Sequence, residues 1–288
     1  MTTTLPPRAG RHCHNALNPL HSAVYFSPEH KEEMAAIGLD DPSAVYFASR
    51  SAALGPVGAS VVTATFYNFR HEIIAQHLPQ VWETVSPEQV LAARLRAVDS
   101  MLRRLLGEDT VASPEMAEAA ELAVRATEGC VRPARPLYAA HADLPVPEEP
   151  HLALWHAATL LREHRGDGHV ALLAAAGLDA LEAVVSHAAS GHSMSPSWLM
   201  FTRGWTKEDW AAAEERLRTR GLLDAQGGLT EEGTGLRKQL ERDTDRLDLA
   251  PYEHLGAAGV ARLTELAGGL ISAALAAGAF PKDLFGEG

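Results

Sequence analysis

Residues 206–233 read TKEDWAAAEERLRTRGLLDAQGGLTEEG, and the fold turns on this stretch. Thr206 followed three residues later by Asp209 is the pattern of a capping box opening a helix. Trp210, Ala213 and Leu217 then recur at helical spacing and define one apolar face. Gly221 stops that helix, because glycine alone adopts the left-handed C′ conformation at no steric cost. Gly227-Gly228 between Leu223 and Leu229 predicts a tight hairpin, and Thr230 with Glu231-Glu232 opens the next helix. Upstream, apolar periodicity predicts helices over 179–190 and 196–203; downstream, over 231–248. The order from Asp179 is therefore helix, helix, helix, short hairpin, helix.

Working outward, helix starts are marked by Ser27-Pro28-Glu29, Ser86-Pro87-Glu88 and Ser113-Pro114-Glu115. Each puts a capping hydroxyl first, proline where its missing N–H costs nothing, and a carboxylate in the positive first turn. Further helices are predicted over 28–37, 42–52, 57–77, 87–106, 114–128, 151–165, 169–176 and 257–277. Strand signals are nearly absent. ADLPVPEEP, residues 142–150, carries three prolines and no periodicity, so a boundary is placed near 146, giving an N-terminal helical domain over 1–145 and a second domain over 146–288. The expected fold class is mainly α, an N-terminal helical domain followed by a C-terminal winged helix-turn-helix domain with a small β-wing.

The Arg220-Gly221-Leu222 step, the glycine hairpin and the closing Leu229-Thr230-x-x-Gly233 resemble the winged helix of MarR-type regulators, over about residues 179–246. The resemblance implies a recognition helix over 207–220 and DNA binding as a dimer. Blocks such as Leu20-His21-Ser22-Ala23-Val24-Tyr25-Phe26, Arg203-Gly204-Trp205 and Thr244-Asp245-Arg246-Leu247 also resemble an actinobacterial family labelled helix-turn-helix, which implies a shared architecture and supplies no catalytic residue.

Charge opposes the DNA reading. The chain has 37 acidic and 25 basic residues, net −12, so its long-range field repels phosphate. Residues 201–250 hold nine basic and eleven acidic side chains, the recognition helix opens Lys207-Glu208-Asp209, and the wing Asp224-Ala225-Gln226-Gly227-Gly228 has no cation. Each carboxylate facing a phosphate costs affinity. A partner that is a small molecule is favoured over DNA; a homodimer is compatible with either. Two cysteines, Cys13 and Cys130, give no disulfide framework. With no signal-peptide pattern and no long uninterrupted apolar run, a cytoplasmic location without a membrane partner is expected.

The densest chemistry is Arg162-Glu163-His164-Arg165-Gly166-Asp167-Gly168-His169, with six ionisable side chains in eight residues. His164, Asp167 and His169 are the candidate acid/base residues, and Arg162 and Arg165 the candidate charge clamp. The bland alternative is a helix end, a Gly-Asp-Gly turn and a restart capped by Asp167. Tyr67, Asn68, His21, Tyr25, Arg50 and Trp205 are the further candidate ligand contacts. His164 with His169, and His187 with His192, are spaced five apart, a rotation of about 140° that does not make a same-face chelate. Arg11-His12-Cys13-His14 suggests a metal only superficially and is expected at a frayed terminus. No metal and no cofactor is expected, since phosphate loops, nucleophile elbows and Cys-x-x-Cys pairs are missing. The leading reading is a small-molecule-binding winged-helix protein, with a cofactor-independent reaction on a metabolite as one form of it. The alternative is a MarR-like regulator that responds to a ligand.

Overall fold

In a computed structural model that describes residues 4–191 and 193–281, the chain is mainly helical and no strand forms among the described residues. The helices, in order, are α1 (Ala9–Ser22), α2 (Pro28–Ala36), α3 (Pro42–Ser51), α4 (Ala59–Phe66), α5 (His71–Ala75), α6 (Val81–Thr84), α7 (Pro87–Leu106) and α8 (Glu108–Val111). They continue as α9 (Pro114–Thr127), α10 (Pro136–Ala142), α11 (Pro150–Ala175), α12 (Ala180–Ala188), α13 (Pro196–Arg203), α14 (Lys207–Thr219), α15 (Glu231–Leu247) and α16 (Ala250–Ala276). By packing the chain divides into two compact units, the first built from residues 1–56, 80–168 and 245–281, the second from 57–79 and 169–244. Each contains stretches distant in sequence, and the proline-rich run 142–150 lies inside the first.

In the first unit α1, α7, α9 and α16 and the N-terminal half of α11 share one apolar core, with Leu17, Met101, Met116, Leu161 and Leu263 almost fully buried. The Ser-Pro-Glu starts behave as their chemistry requires: Ser27, Ser86 and Ser113 each accept the backbone N–H three residues on. The N-terminal segment is not frayed, contrary to expectation. Cys13, Leu17 and Leu20 form a stripe at helical spacing that is buried in α1, and Gly10 lets that helix lie against the Tyr252 ring, where a Cβ would stand 2.6 Å from a ring carbon. By length and composition α16 could cross a membrane, but it bends at Gly256, and Leu255, Val260, Leu263, Ala267, Leu270 and Ala274 bury one side of it in this core.

The Gly166-Asp167-Gly168 turn is also not found. α11 runs unbroken through it, because Asp167 caps another helix: its Oδ2 accepts the Tyr138 N–H at 2.9 Å in the first turn of α10, whose own N-cap, Arg135, supplies no side-chain bond. Gly168 serves packing. Arg135 Nη1 lies 2.7 Å from where a Cβ would be, and from that groove Arg135 donates to the carbonyls of His164 and Leu247.

In the second unit the helix expected over 57–77 breaks after Phe66. Tyr67 takes a left-handed backbone conformation (φ 62°), the Tyr67 hydroxyl donates to the Leu178 carbonyl, and Trp205 Nε1 donates to the Asn68 carbonyl. α12, α13 and α14 follow, each opened by a side-chain cap from Asp179, Ser195 and Thr206. Their core gathers Leu178, Leu181, Val185, Leu199, Trp210, Ala213, Leu217 and Leu240. The expected β-wing does not form among the described residues. Its hairpin is reduced to one antiparallel bridge, Leu223 with Leu229, because Asp224 folds the turn onto itself by accepting the N–H groups of Gln226 and Gly228.

Candidate functional site

The polar side chains of the first unit converge on the stretch of α11 from Arg162 to Asp167. Glu163 is the centre: it is 2% exposed, pairs with Arg162 and with Arg50 Nη2 at 3.3 Å, and lies in the electrostatic range of His21 and His141. Burial pushes its carboxyl up, but Arg162 and Arg50 outweigh that and hold it below the ordinary carboxylate range. Around it, His21 Nδ1 meets Thr159 Oγ1 at 2.8 Å, the Tyr25 hydroxyl stands 3.5 Å from His21 Nε2, and the His21 ring stacks on Trp155 at 5.3 Å. His21 is held well below its usual value by burial, so it is a neutral imidazole.

A third guanidinium enters this cluster. Arg94 is 3% exposed, donates to the Ser49 carbonyl at 2.6 Å and stands 5.3 Å from the centre of the Trp155 ring. Among the described residues no carboxylate comes within ion-pair distance of it, while Glu163 and Tyr25 act on it at longer range. Arg50, Arg94 and Arg162 thus stand about one carboxylate, and the neutral imidazoles add no charge. A buried guanidinium without its own counter-ion costs several kcal/mol.

A second group lies one residue further on. His164, fully buried, bonds through Nδ1 to Asp248 Oδ1 at 2.8 Å, and Arg165 reaches Asp245 at 3.0 Å and Asp248 at 3.7 Å. Arg11 binds Asp245 through two nitrogens, at 2.9 and 2.7 Å. Burial raises the Asp248 carboxyl, with His164 pulling the other way.

The structure therefore brings His21, Tyr25, Arg50 and Arg162 together around Glu163 and does not gather the three residues expected to exchange protons. His164 is held by Asp248, Asp167 caps α10, and His169 meets Thr244 Oγ1 at 2.8 Å. On the continuous helix His169 is turned about 140° from His164. Tyr67, Asn68 and Trp205 belong to the second unit and form the turn bonds described above. His192 lies outside the described residues. Among the described residues no group of three or more His, Cys, Asp or Glu is placed to hold a metal. Sequence reading missed Glu163 as the hub, Arg94 and Asp248. Arg94 did leave a signal, as an arginine on the stripe Val90, Ala93, Ala97, Val98, Met101 that α7 buries.

In the second unit the cations of α14 are already spent. Arg216 pairs with Asp179 and Glu182, Arg218 with Glu214 and Glu215, and Arg220 with Glu182. Lys207 stands at its exposed start beside Glu208.

The second unit is a body of capped helices with its own apolar core, joined in sequence to a helical unit that carries a buried polar cluster. The model of a helix-turn-helix family matches residues 10–281, and the chain belongs to that family. No curated protein and no solved structure matches it.

Proposed function

We propose that this helix-turn-helix protein binds a small anionic metabolite in its first unit, with Arg50, Arg94 and Arg162 as the charge clamp and His21 and Tyr25 as hydrogen-bonding partners. The observation that carries the reading is the imbalance, among the described residues, of three guanidiniums about one buried carboxylate, in which Arg94 meets no carboxylate at ion-pair distance. An anion of one or two charges would neutralise the cluster and convert a buried cost into binding energy. Arg162 keeps 23% of its side chain exposed and Tyr25 and Tyr46 are half-buried, which gives such a molecule a way in. Here the helix-turn-helix unit, MarR-like in its helix order, is a scaffold.

The second reading is a ligand-responsive transcription regulator that binds DNA as a dimer, and membership of a helix-turn-helix family favours it. Against it stand the paired cations of α14 and the cation-free turn at Asp224–Gly228. One experiment separates the two. The purified protein is titrated with duplex DNA, including its own upstream region, at two salt concentrations, and its melting temperature is followed with acetate, succinate and inorganic phosphate. The expected result is a saturable rise in melting temperature with an anion, about 2.7 kcal/mol at a hundredfold excess over Kd, lost in Arg162→Gln, and DNA binding no tighter than non-specific. Tight DNA binding that falls steeply with salt, without an anion effect, would replace the ligand reading with the regulator.

A further inference from the structure

A cavity of about 60 Å³ lies in the first unit, apart from the Glu163 cluster, and its walls come from Leu5 to Arg11, Arg165, Asp245, Asp248, Leu249 and Tyr252. Two of these residues keep a buried polar atom without a hydrogen-bond partner: Asp248 Oδ2 and the Tyr252 hydroxyl. The residues are 2% and 1% exposed, and a buried carboxylate oxygen or phenol left without a hydrogen bond is unfavourable. Asp248 is held in place, because its other oxygen takes His164. Tyr252 is held by Gly10, whose missing Cβ leaves room for the ring. Arg11 and Arg165 are engaged with Asp245, Arg165 also lies 3.7 Å from Asp248 Oδ2, beyond hydrogen-bond distance, and Arg8 stands exposed at the rim.

We propose that this cavity is a binding site for a short 2-hydroxy carboxylate of glycolate size. The needs of the two unsatisfied atoms are opposite, since the Asp248 carboxylate oxygen accepts and the phenol donates. A ligand hydroxyl does both through one atom, an ammonium only donates, and a carboxylate only accepts. The volume is that of about two waters, which fits a CH2OH group and leaves its carboxylate at the rim beside Arg8. Ordered water could meet the same two atoms, and the test is built to tell water from ligand.

The full-length Arg162→Gln protein, whose anion clamp at Glu163 is broken so that only this cavity is read, is titrated by calorimetry and melted in glycolate, acetate and glycine at matched concentration and ionic strength. Glycolate binds and raises the melting temperature saturably; acetate, which lacks the hydroxyl, and glycine, which carries an ammonium in its place, bind at least tenfold more weakly. Tyr252→Phe, which removes one oxygen and keeps the ring packing, remains folded and loses at least tenfold in glycolate affinity, and Asp248→Asn loses it as well. Equal binding of glycolate and acetate, no binding of either, or unchanged glycolate affinity in Tyr252→Phe would each overturn the assignment, the second leaving a cavity that holds water alone.

Discussion

Gly233 shows how much a single residue type carries in the Leu-Thr-x-x-Gly run. Placed on its backbone, a Cβ would overlap the carbonyl oxygen of Leu222 and press on Leu229, and that carbonyl accepts the Thr230 N–H that closes the turn. Neither neighbour has room to move without breaking that bond. Gly233→Ala is therefore expected to destabilise the protein by about 2–4 kcal/mol in urea unfolding, as overpacking against backbone does. Gly235, two residues along the same helix and exposed, has nothing within contact distance of its would-be Cβ, so Gly235→Ala should stabilise by about 0.5–1 kcal/mol through the unfolded chain. If the two substitutions shift the midpoint equally, the steric account of Gly233 is wrong. The motif was legible in the sequence as a pattern. Its cause was not, because it lies in a carbonyl eleven residues upstream.

At the scale of elements, Glu182 ties α12 to α14. It closes the capping box of α12 with Asp179, and it takes Arg216 at 3.0 Å and Arg220 at 2.9 Å while 4% exposed. Glu182→Ala leaves Arg220 without its carboxylate and the Asp179 N–H without its acceptor, while Arg216 keeps Asp179, an expected loss of about 1–2 kcal/mol, whereas Glu215→Ala, at an exposed partner of Arg218, should cost under about 0.5 kcal/mol. Comparable losses in urea would show that the buried carboxylate is not the tie. Elements were legible where the chemistry is local: the Ser-Pro-Glu starts of α2, α7 and α9, and α13, expected over 196–203 and found at Pro196–Arg203. They were missed where the decisive partner is distant. α1 looks like a polar terminus until α16 covers Cys13 and Leu17, and α10 lacks a cap of its own because Asp167 supplies it. For the same reason Asp167 read as a turn residue in an acid/base set, and the site emerged around its neighbour Glu163 instead.

For the molecule as a whole, the buried imidazoles set the response to acid. Burial lowers His14 and His141 to about 3 and His30 and His156 to about 4, and it takes His21 well below its ordinary value. Unfolding returns each to near 6.5. Below that pH the unfolded chain takes up protons the native fold refuses, so this stability is fully present above 6.5 and is lost as pH falls toward 4. Glu163, held low by Arg162 and Arg50, acts in the same sense below about 4.5. Asp167 opposes them: burial raises it to about 6, so between about 3.8 and 6 the native state holds a proton the unfolded chain has released. Asp248, likewise raised by burial, acts in the same opposing sense; these two carboxyls stand against five imidazoles, and each imidazole contributes a slope of roughly 1.4 kcal/mol per pH unit where it differs between the two states. The urea midpoint should therefore drop steeply between pH 6.5 and 5. His156→Leu is the informative variant, since His156 Nε2 has no hydrogen-bond partner and its loss removes one titrating group without breaking a bond. Its slope should be shallower by about one proton, and a midpoint that stays flat from pH 7 to 5 would mean that these imidazoles are hydrated and titrate in the native state.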